Sequence, residues 1–406
     1  MIFKMAIRNL LRRPMQSVLA AGAVAGGLAL IIFTTNFQDG SWAGVVRDTI
    51  RATSGHVVVQ APGYQKQQDS NLLLEKSSEL AQRLQEALPQ STVVRRLALQ
   101  GMVASPNNSV AVAINGVDAK AEKPLSQMSD KLIEGSWLPE KGEGLLIGYR
   151  LAKRLQVGVG EKVVLTASFR GEIQGFPFRV SGIFKTQSPA LDNFYALAPL
   201  QVLQEMLPDV EDPATQVSVI LDSAKAPPEL RDQVRALVGE GPEVLRWEES
   251  IPELYNAERL DKASAAIMWV FLGILVSIGI LNVLLMSLFQ RTRELGMLQA
   301  MGLRPAGVIK LLMVEGLMLG VAGGIFGFIA GAAMSYPIVE YGLDLAVFQN
   351  SAPIANVAID TLIKGQFVWD KAALWTLYHI ALAVLASIWP ALRAGALEPV
   401  EALRAN

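Results

Sequence analysis

The chain has no cysteine and only two histidines, His56 and His379, in 406 residues. Without cysteine there can be no disulfide, thiolate metal site, iron–sulfur cluster or lipid-modified cysteine. A cysteine-free segment tolerates an oxidising compartment, although the absence does not by itself place it there. Two histidines, expected on different sides of a membrane boundary, supply neither a histidine metal site nor a serine–histidine triad. The sequence has no Gly-Lys dipeptide and therefore no Walker A loop, and it has no His-Glu-x-x-His or Gly-x-Ser-x-Gly. Gly142-Glu143-Gly144 has the wrong glycine spacing for a dinucleotide fingerprint and reads as a turn. A net charge of −1 gives no electrostatic footprint for nucleic acid. The expectation is a chain that is not an enzyme and holds no cofactor or metal of its own.

Long apolar runs are what the sequence does have. It is 51% hydrophobic and 18% charged, with a mean hydropathy of +0.33. Four runs reach the roughly 18–20 residues that a helix needs to cross about 30 Å of hydrocarbon. They are assigned to 15–38, 263–290, 311–336 and 372–392. Residues 39–262 between the first two are ordinary globular sequence. The fold class expected is a membrane α-helical protein with four transmembrane helices and a large α/β extracytoplasmic domain between helices 1 and 2.

Charge sets the orientation. Lys4, Arg8, Arg12 and Arg13 precede the first run with no acid among them. Arg291, Arg293, Arg304 and Lys310 face only Glu294 in the short loop 291–310, and Arg393 and Arg404 follow the fourth run in the tail 393–406. The opposite loops mix signs, as in Asp39, Arg47 and Asp48, or Glu340, Asp344, Asp360 and Lys364. By the positive-inside rule both termini and the 291–310 loop are cytoplasmic and the insert lies outside. Ala23-Val24-Ala25 resembles a signal-peptide cleavage site, but the apolar run continues to Phe33, which suits an anchor better.

Residues 1–14 read as an amphipathic helix, with Lys4, Arg8 and Arg12 on one face and Phe3, Ile7, Leu10 and Leu11 on the other. Pro14 marks a bend into the first span. In the insert, β-rich runs fall at His56–Gln60, Val110–Ile114, Lys162–Thr166, Phe178–Ile183 and Val217–Leu221. Helical patterns fall at Ser77–Leu88, Leu200–Leu207 and Glu229–Val238, and turns at 105–108, Asn115-Gly116 and 158–160. Pro227-Pro228 reads as a divider before a smaller β–α–β unit that ends near Trp247.

The third span carries Gly316, Gly320 and Gly324 at intervals of four, and Gly323, Gly327 and Gly331 likewise; the first has Gly22 and Gly26. Such spacing lets membrane helices approach closely, so these glycines are read as helix packing. Asn282, Glu315 and His379 are the polar candidates inside spans. Glu315 is close enough to the interface to pair with Lys310 or a basic residue of the first segment. His379 is equally explained as a buried imidazole hydrogen-bonded to a neighbouring helix.

The loop after the second span reads Arg291-Thr292-Arg293-Glu294-Leu295-Gly296, then Leu298, Ala300, Met301 and Gly302. Its centre suits a short helix with Leu295, Leu298 and Met301 on one side, ended by Gly302. An exposed helix with an apolar face wants a partner groove; a basic loop lying on headgroups is the alternative. These residues resemble the coupling helix of the ABC permease superfamily that includes the lipoprotein-release permeases LolC and LolE, the exporter MacB and the cell-division permease FtsX. The resemblance extends to Arg8-Asn9-Leu10-Leu11-Arg12-Arg13-Pro14, to Pro390-Ala391-Leu392-Arg393-Ala394 and to Glu398-Pro399-Val400-Glu401-Ala402-Leu403-Arg404. In the insert, Glu134-Gly135-Ser136-Trp137 through Leu146-Ile147-Gly148, then 157–162 and 180–184, are similar to the family's MacB-type periplasmic core. The loop 337–371 is longer than a tight connection needs, and its role is open.

The resemblance implies a bacterial inner-membrane permease of the lipoprotein-release type. It implies two copies of a separate ABC ATPase, which holds the ATP and Mg, and a second permease subunit, identical or homologous. Lipoprotein cargo or a periplasmic adaptor is implied as a further partner; efflux with such an adaptor, or regulation of an external enzyme, is the alternative function. Glu294 and Leu295 are expected to uncouple ATP hydrolysis when changed, without unfolding the chain. Lipidated cargo needs a lipid-facing groove, and Phe33, Phe37, Met268, Trp269 and Phe271 are its candidate walls; they read equally well as lipid-facing anchors.

Overall fold

The computed structural model describes residues 2–12, 14–67, 69, 71–169, 172–186, 189–223, 226–344 and 362–397. The helices are α1 Ile2–Arg12, α2 Pro14–Ala52, α3 Tyr64–Gln67, α4 Ser77–Ala87, α5 Ala119–Glu122, α6 Tyr149–Leu155, α7 Pro189–Phe194, α8 Leu200–Glu205, α9 Leu230–Val238, α10 Trp247–Ser250, α11 Pro252–Gln290, α12 Thr292–Ala300, α13 Pro305–Glu340 and α14 Trp369–Gly395. The main strands are β1 Val57–Gln60, β2 Ser91–Ala104, β3 Ser109–Val117, β4 Leu132–Gly135, β5 Gly144–Gly148, β6 Lys162–Phe169, β7 Glu172–Phe184, β8 Tyr195–Pro199, β9 Gln216–Leu221 and β10 Glu243–Arg246. The described residues divide into two compact units, 2–42 with 259–344 and 362–397, and 43–258.

The second unit is built on one ten-stranded mixed sheet in the order β10-β1-β9-β2-β3-β8-β5-β7-β4, with β6 pairing β2 and β7 off this path. Alternation explains its faces. Along β3, Val110, Val112 and Ile114 are buried while Ser109, Ala111 and Ala113 are exposed, as expected where one face packs and the other does not. The buried set joins Leu97, Leu145, Ile147, Leu165, Phe178 and Leu203 in the main core. A second core gathers Val57, Val59, Leu80, Leu84, Val217, Val219 and Val234 under α4 and α9.

Two sequence expectations change here. Asn115-Gly116 is not a turn but lies within β3, paired in parallel with Leu197 and Ala198 of β8. Gly116 is small because α8 crosses it: a Cβ there would meet a Leu203 methyl at 3.0 Å. The segment after Pro227-Pro228 is not a separate unit either. β1, from far upstream, lies between β9 and β10 and pairs antiparallel with both.

Two polar sites tie this unit together. α4 begins after Lys76, which is left-handed at φ 51° and makes no side-chain cap. Asp212 takes the capping role from another loop, accepting from the Ser78 backbone N–H at 2.5 Å and from Arg95 at 2.8 Å. Burial raises the Asp212 carboxyl, but the Ser78, Arg95 and Gln204 contacts outweigh it and hold the group below the ordinary carboxylate value.

His56, 2% exposed, donates its backbone N–H to Val219 and accepts the Leu221 N–H at Nδ1. Burial, reinforced by Arg51 and opposed by a backbone bond to Ser223, lowers its pKa from the usual 6.5. The unfolded chain therefore takes up this proton first. His56 contributes stability in full above pH 6.5 and loses it as pH falls through the lowered native pKa. Urea midpoints of this unit should drop between pH 7.5 and 5.5 more steeply in the natural chain than in His56→Gln. Equal slopes would remove the histidine from the account.

In the first unit four helices, α2, α11, α13 and α14, are long and apolar enough to cross a membrane. All four outrun the expected spans, α2 and α11 by the most. α2 continues from residue 38 to Ala52 and α11 begins at Pro252 rather than 263. At 39 residues each, with about 1.5 Å rise per residue, both exceed the thickness of a bilayer. The apolar run marks where hydrocarbon ends, not where the hydrogen-bond ladder does.

The glycines of α13 form two adjacent stripes. Gly316, Gly320 and Gly324 lie against Ser387, Ala383 and Ile380 of α14, and Gly323, Gly327 and Gly331 against Val24, Ala25 and Ile32 of α2. A Cβ at Gly327 would sit 2.8 Å from the Ala25 carbonyl oxygen, so the close approach requires glycine. Gly22 and Gly26 do not share this role: a Cβ on either meets nothing within 4 Å. Gly27, one position further round, is the residue packed on Val276.

In the 337–371 loop, Leu343–Asp344 pairs antiparallel with Leu362–Ile363, and Gln366 donates its N–H to the Asn36 carbonyl of α2. The middle of that loop, 345–361, and the 398–404 part of the tail resemblance lie outside the described residues.

Candidate functional site

The second span leads through Arg291 directly into α12. This helix ends as its sequence dictates. Gly302 adopts φ 99°, its N–H bonds to the Gln299 carbonyl, and the Leu303 N–H reaches back to Leu298, which closes the last turn. Thr292 donates its hydroxyl to the Leu288 carbonyl at 3.1 Å and so fastens the start of α12 to the end of α11.

The apolar side of α12 is not free for a partner. Leu295 is 1% exposed and packs with Leu288, Val308, Leu312, Ala391 and Ala394, with Leu298 half-buried beside them. Gly296 is also buried. Truncating Leu295 would therefore cost about 2–5 kcal/mol of packing, so it is not a position where coupling can change while the fold stays intact. The outer surface is instead Arg293, Glu294, Met297, Ala300, Met301 and Gly302, all exposed. Met297 and Met301 are 46% and 76% exposed. Two flexible, polarisable side chains flanked by charges suit contact with another protein surface. Met297 was hidden from the sequence reading because Leu295 and Leu298 looked like the free face.

An ion pair holds the helix in its seat. The Arg291 guanidinium donates to both oxygens of Glu315, at 3.1 and 3.3 Å, with side-chain exposures of only 8% and 3%. Asn9 of α1 donates to the same carboxylate at 2.7 Å. Arg291 also reaches Glu294 at 3.4 Å. Three helices thus converge on one carboxylate. Glu315 does not pair with Lys310, because residues five apart on a helix point about 140° from each other. Asn9 carried no periodicity signal of its own. A short polar residue at the border of the lysine and arginine face was the only hint.

The other intramembrane candidates separate. His379 is 0% exposed and bonds through Nδ1 to the Trp375 carbonyl of its own helix at 2.9 Å, not to a neighbouring helix. Nδ1 must donate, since a carbonyl only accepts. Nε2 faces Gly27 and has no partner among the described residues. Asn282 is exposed on α11. The groove candidates do not line one surface. Met268 and Phe271 are exposed, while Trp269 turns to the other side of α11 and packs edge-on against Trp375 at 4.8 Å. Phe33 and Phe37 are half-buried on α2. Among the described residues no group of three or more acidic, histidine or cysteine side chains is placed to hold a metal.

Similarity to known proteins covers both units. The model of the MacB-like periplasmic core domain matches residues 17–237, and that of the FtsX-like permease C-terminal region matches 266–399. The lipoprotein-releasing system transmembrane protein LolC of Xylella fastidiosa is 25% identical over 397 residues, which is 94% of this chain and 92% of that protein. The LolE protein of Haemophilus influenzae is 22% identical over 341 residues, covering 80% and 81%. The macrolide export ATP-binding/permease protein MacB of Chlorobium luteolum is 36% identical, but over 31% of this chain and 16% of that protein.

Proposed function

The chain belongs to the MacB, LolC–LolE and FtsX family of ABC-transporter permeases, and from that premise we propose that it is the membrane subunit through which a separate ATPase drives release of lipoproteins from the inner membrane. The observation that carries the reading is near full-length similarity to a LolC-named relative, 94% of one chain against 92% of the other. The MacB-named relative shares only a short segment. The domain between the first two spans is the periplasmic one. Both termini and α12 lie on the cytoplasmic side, where Arg291, Arg293 and Arg304 belong.

In this mechanism two ATPase subunits, which hold the ATP and Mg, press on the outer face of α12 in each of two permease subunits. Arg293, Glu294, Met297 and Met301 receive the push. The Arg291–Glu315 pair and Leu295 pass it to α13 and α14, while α11 moves directly because only Arg291 separates it from α12. The movement reaches the periplasmic domain through α2 and α11. Acylated cargo stays against an apolar surface throughout, because each acyl methylene exposed to water costs about 0.8 kcal/mol. Met268 and Phe271 on α11 offer such a surface.

Introducing a charge at the receiving face tests the coupling. Met297→Glu leaves the packed side of α12 untouched, and it should cut ATP-dependent release about ten-fold or more, as loss of a 1.4 kcal/mol docking contact would. Normal release by this variant would remove α12 as the docking element. The function itself is tested by depleting the protein and fractionating membranes. Outer-membrane lipoproteins should accumulate in the inner membrane; their normal export after depletion would contradict the proposal.

A further inference from the structure

We infer that the exposed face of α6, with the ends of β7 and α7 beside it, is a docking surface for an acidic patch on a second protein. At about 100° per residue, Tyr149, Arg150, Lys153 and Arg154 fall within one sector of about 140° on α6. Tyr149 is half-buried and the three cations are exposed. Leu151, Ala152 and Leu155, on the opposite side, are buried. Lys185, just past β7, and Phe194, at the end of α7, are exposed and join this face. Buried hydrogen bonds fix their backbone: Asp192 of α7 accepts the Thr186 N–H and hydroxyl, each at 2.8 Å. Asn108 donates to the Arg154 carbonyl at 2.8 Å and so secures the end of α6.

Four cations meet here without an acid. α6 carries none, and the one acid of α7, Asp192, is turned to Thr186. Arg150, Lys153, Arg154 and Lys185 make no ion pair among the described residues, in a chain whose net charge is only −1. Like charges three and four residues apart on a helix repel, so the free domain gains nothing from the cluster. Rings hold the cations in place. The Lys153 and Lys185 ammoniums lie 4.5 and 5.5 Å from the centre of the Tyr149 ring, and the Arg154 guanidinium lies 5.3 Å from that of Phe194. A ring orders a cation without neutralising it. Three long side chains are therefore placed before a partner arrives, which lowers the entropy lost on binding. Carboxylates are the matching groups, since a guanidinium takes one through two parallel N–H bonds. A lipid surface fits less well, because an interfacial helix inserts apolar side chains beside its cations. This face of α6 has no aliphatic residue, Tyr149 is packed against the core, and Phe194 is engaged by Arg154.

The proposal does not depend on which cargo the permease releases. The full chain, in phosphatidylcholine nanodiscs, is titrated into a fluorescein-labelled peptide of alternating glutamate and alanine, and the anisotropy is read. Lys153→Glu combined with Arg154→Glu should weaken binding about ten-fold or more at low salt. The difference should largely vanish at 1 M salt, where the screening length is about 3 Å. Phe194→Ala, at a position 48% exposed, changes no charge and should weaken binding about two- to five-fold, as loss of one exposed cation–π contact would. Arg83→Glu combined with Arg235→Glu makes the same charge change at exposed positions of α4 and α9 and should alter binding less than about two-fold. Equal weakening by the two pairs, or none by the first, overturns the docking face. Unchanged affinity in Phe194→Ala overturns the ordering by rings. Vesicles of phosphatidylglycerol and phosphatidylcholine should bind the natural chain and the Lys153→Glu, Arg154→Glu variant alike, and a loss in the variant would assign the face to lipid. A particle in mild detergent whose mass falls in that variant would assign it to a second copy. Either result overturns the acidic protein partner.

Discussion

Replacing Arg96 by methionine is expected to destabilise the periplasmic domain by about 3–5 kcal/mol, because it strands a buried carboxylate. Arg96 is 3% exposed in β2 and holds Glu122 with two bonds, at 2.7 and 3.1 Å. The same guanidinium donates to the carbonyls of Arg51 and Thr53, where α2 comes to an end. Those carbonyls have no partner within the helix, and Gln216 adds only one bond, to Thr53 at 2.6 Å. Arg96 therefore fastens the end of the first-span helix to the middle of the sheet. Pulse proteolysis of the full chain in detergent would measure the loss. The double variant Arg96→Met, Glu122→Leu should recover much of it, since two apolar groups replace a buried pair at little cost. A single variant as stable as the natural chain would show that this clamp holds nothing.

The second large effect is expected at Glu315. Glu315→Leu leaves the buried Arg291 charge with only the exposed Glu294 at 3.4 Å, and Asn9 unpartnered, and should disfavour the seated position of α12 by about 3 kcal/mol. Each 1.4 kcal/mol of that shift reduces the seated population about ten-fold once the balance has tipped. Trypsin should then cut at Arg291 or Arg293 faster than in the natural protein, and ATP-driven release should fall while the ATPase still hydrolyses ATP. Arg291→Met combined with Glu315→Leu should re-seat the helix and restore protection. If the double variant is cut as fast as the single one, the ion pair is not what holds α12.

Much of this was legible in the sequence because hydrophobic runs and glycine spacing report directly on spans and their contacts. The four spans, the strand at Val217–Leu221 and the helix end at Gly302 all follow from local chemistry. What escaped is long-range. Chain proximity suggests Lys310 or a basic residue of the first segment as the Glu315 partner, whereas helical geometry sends Lys310 elsewhere and the first segment supplies the neutral Asn9 beside Arg291. The cap of α4 comes from Asp212, 134 positions away from the amide that it accepts, and Arg96 looks like any strand arginine until α2 ends against it. Gly22 and Gly26 carry the small-residue signal, but such a pattern states only that something could approach closely, not that this chain does. Leu295 and Met297 exchange roles for a similar reason: periodicity finds an apolar face and leaves open what covers it.

The most direct measurement places the purified chain and its ATPase in liposomes with a fluorescent triacylated lipoprotein and a soluble lipoprotein acceptor. The account expects release on addition of ATP and Mg only when both proteins are present, with no hydrolysis by this chain alone. Hydrolysis by the isolated chain, or lipoprotein that stays in the liposomes with both partners and ATP supplied, would contradict it.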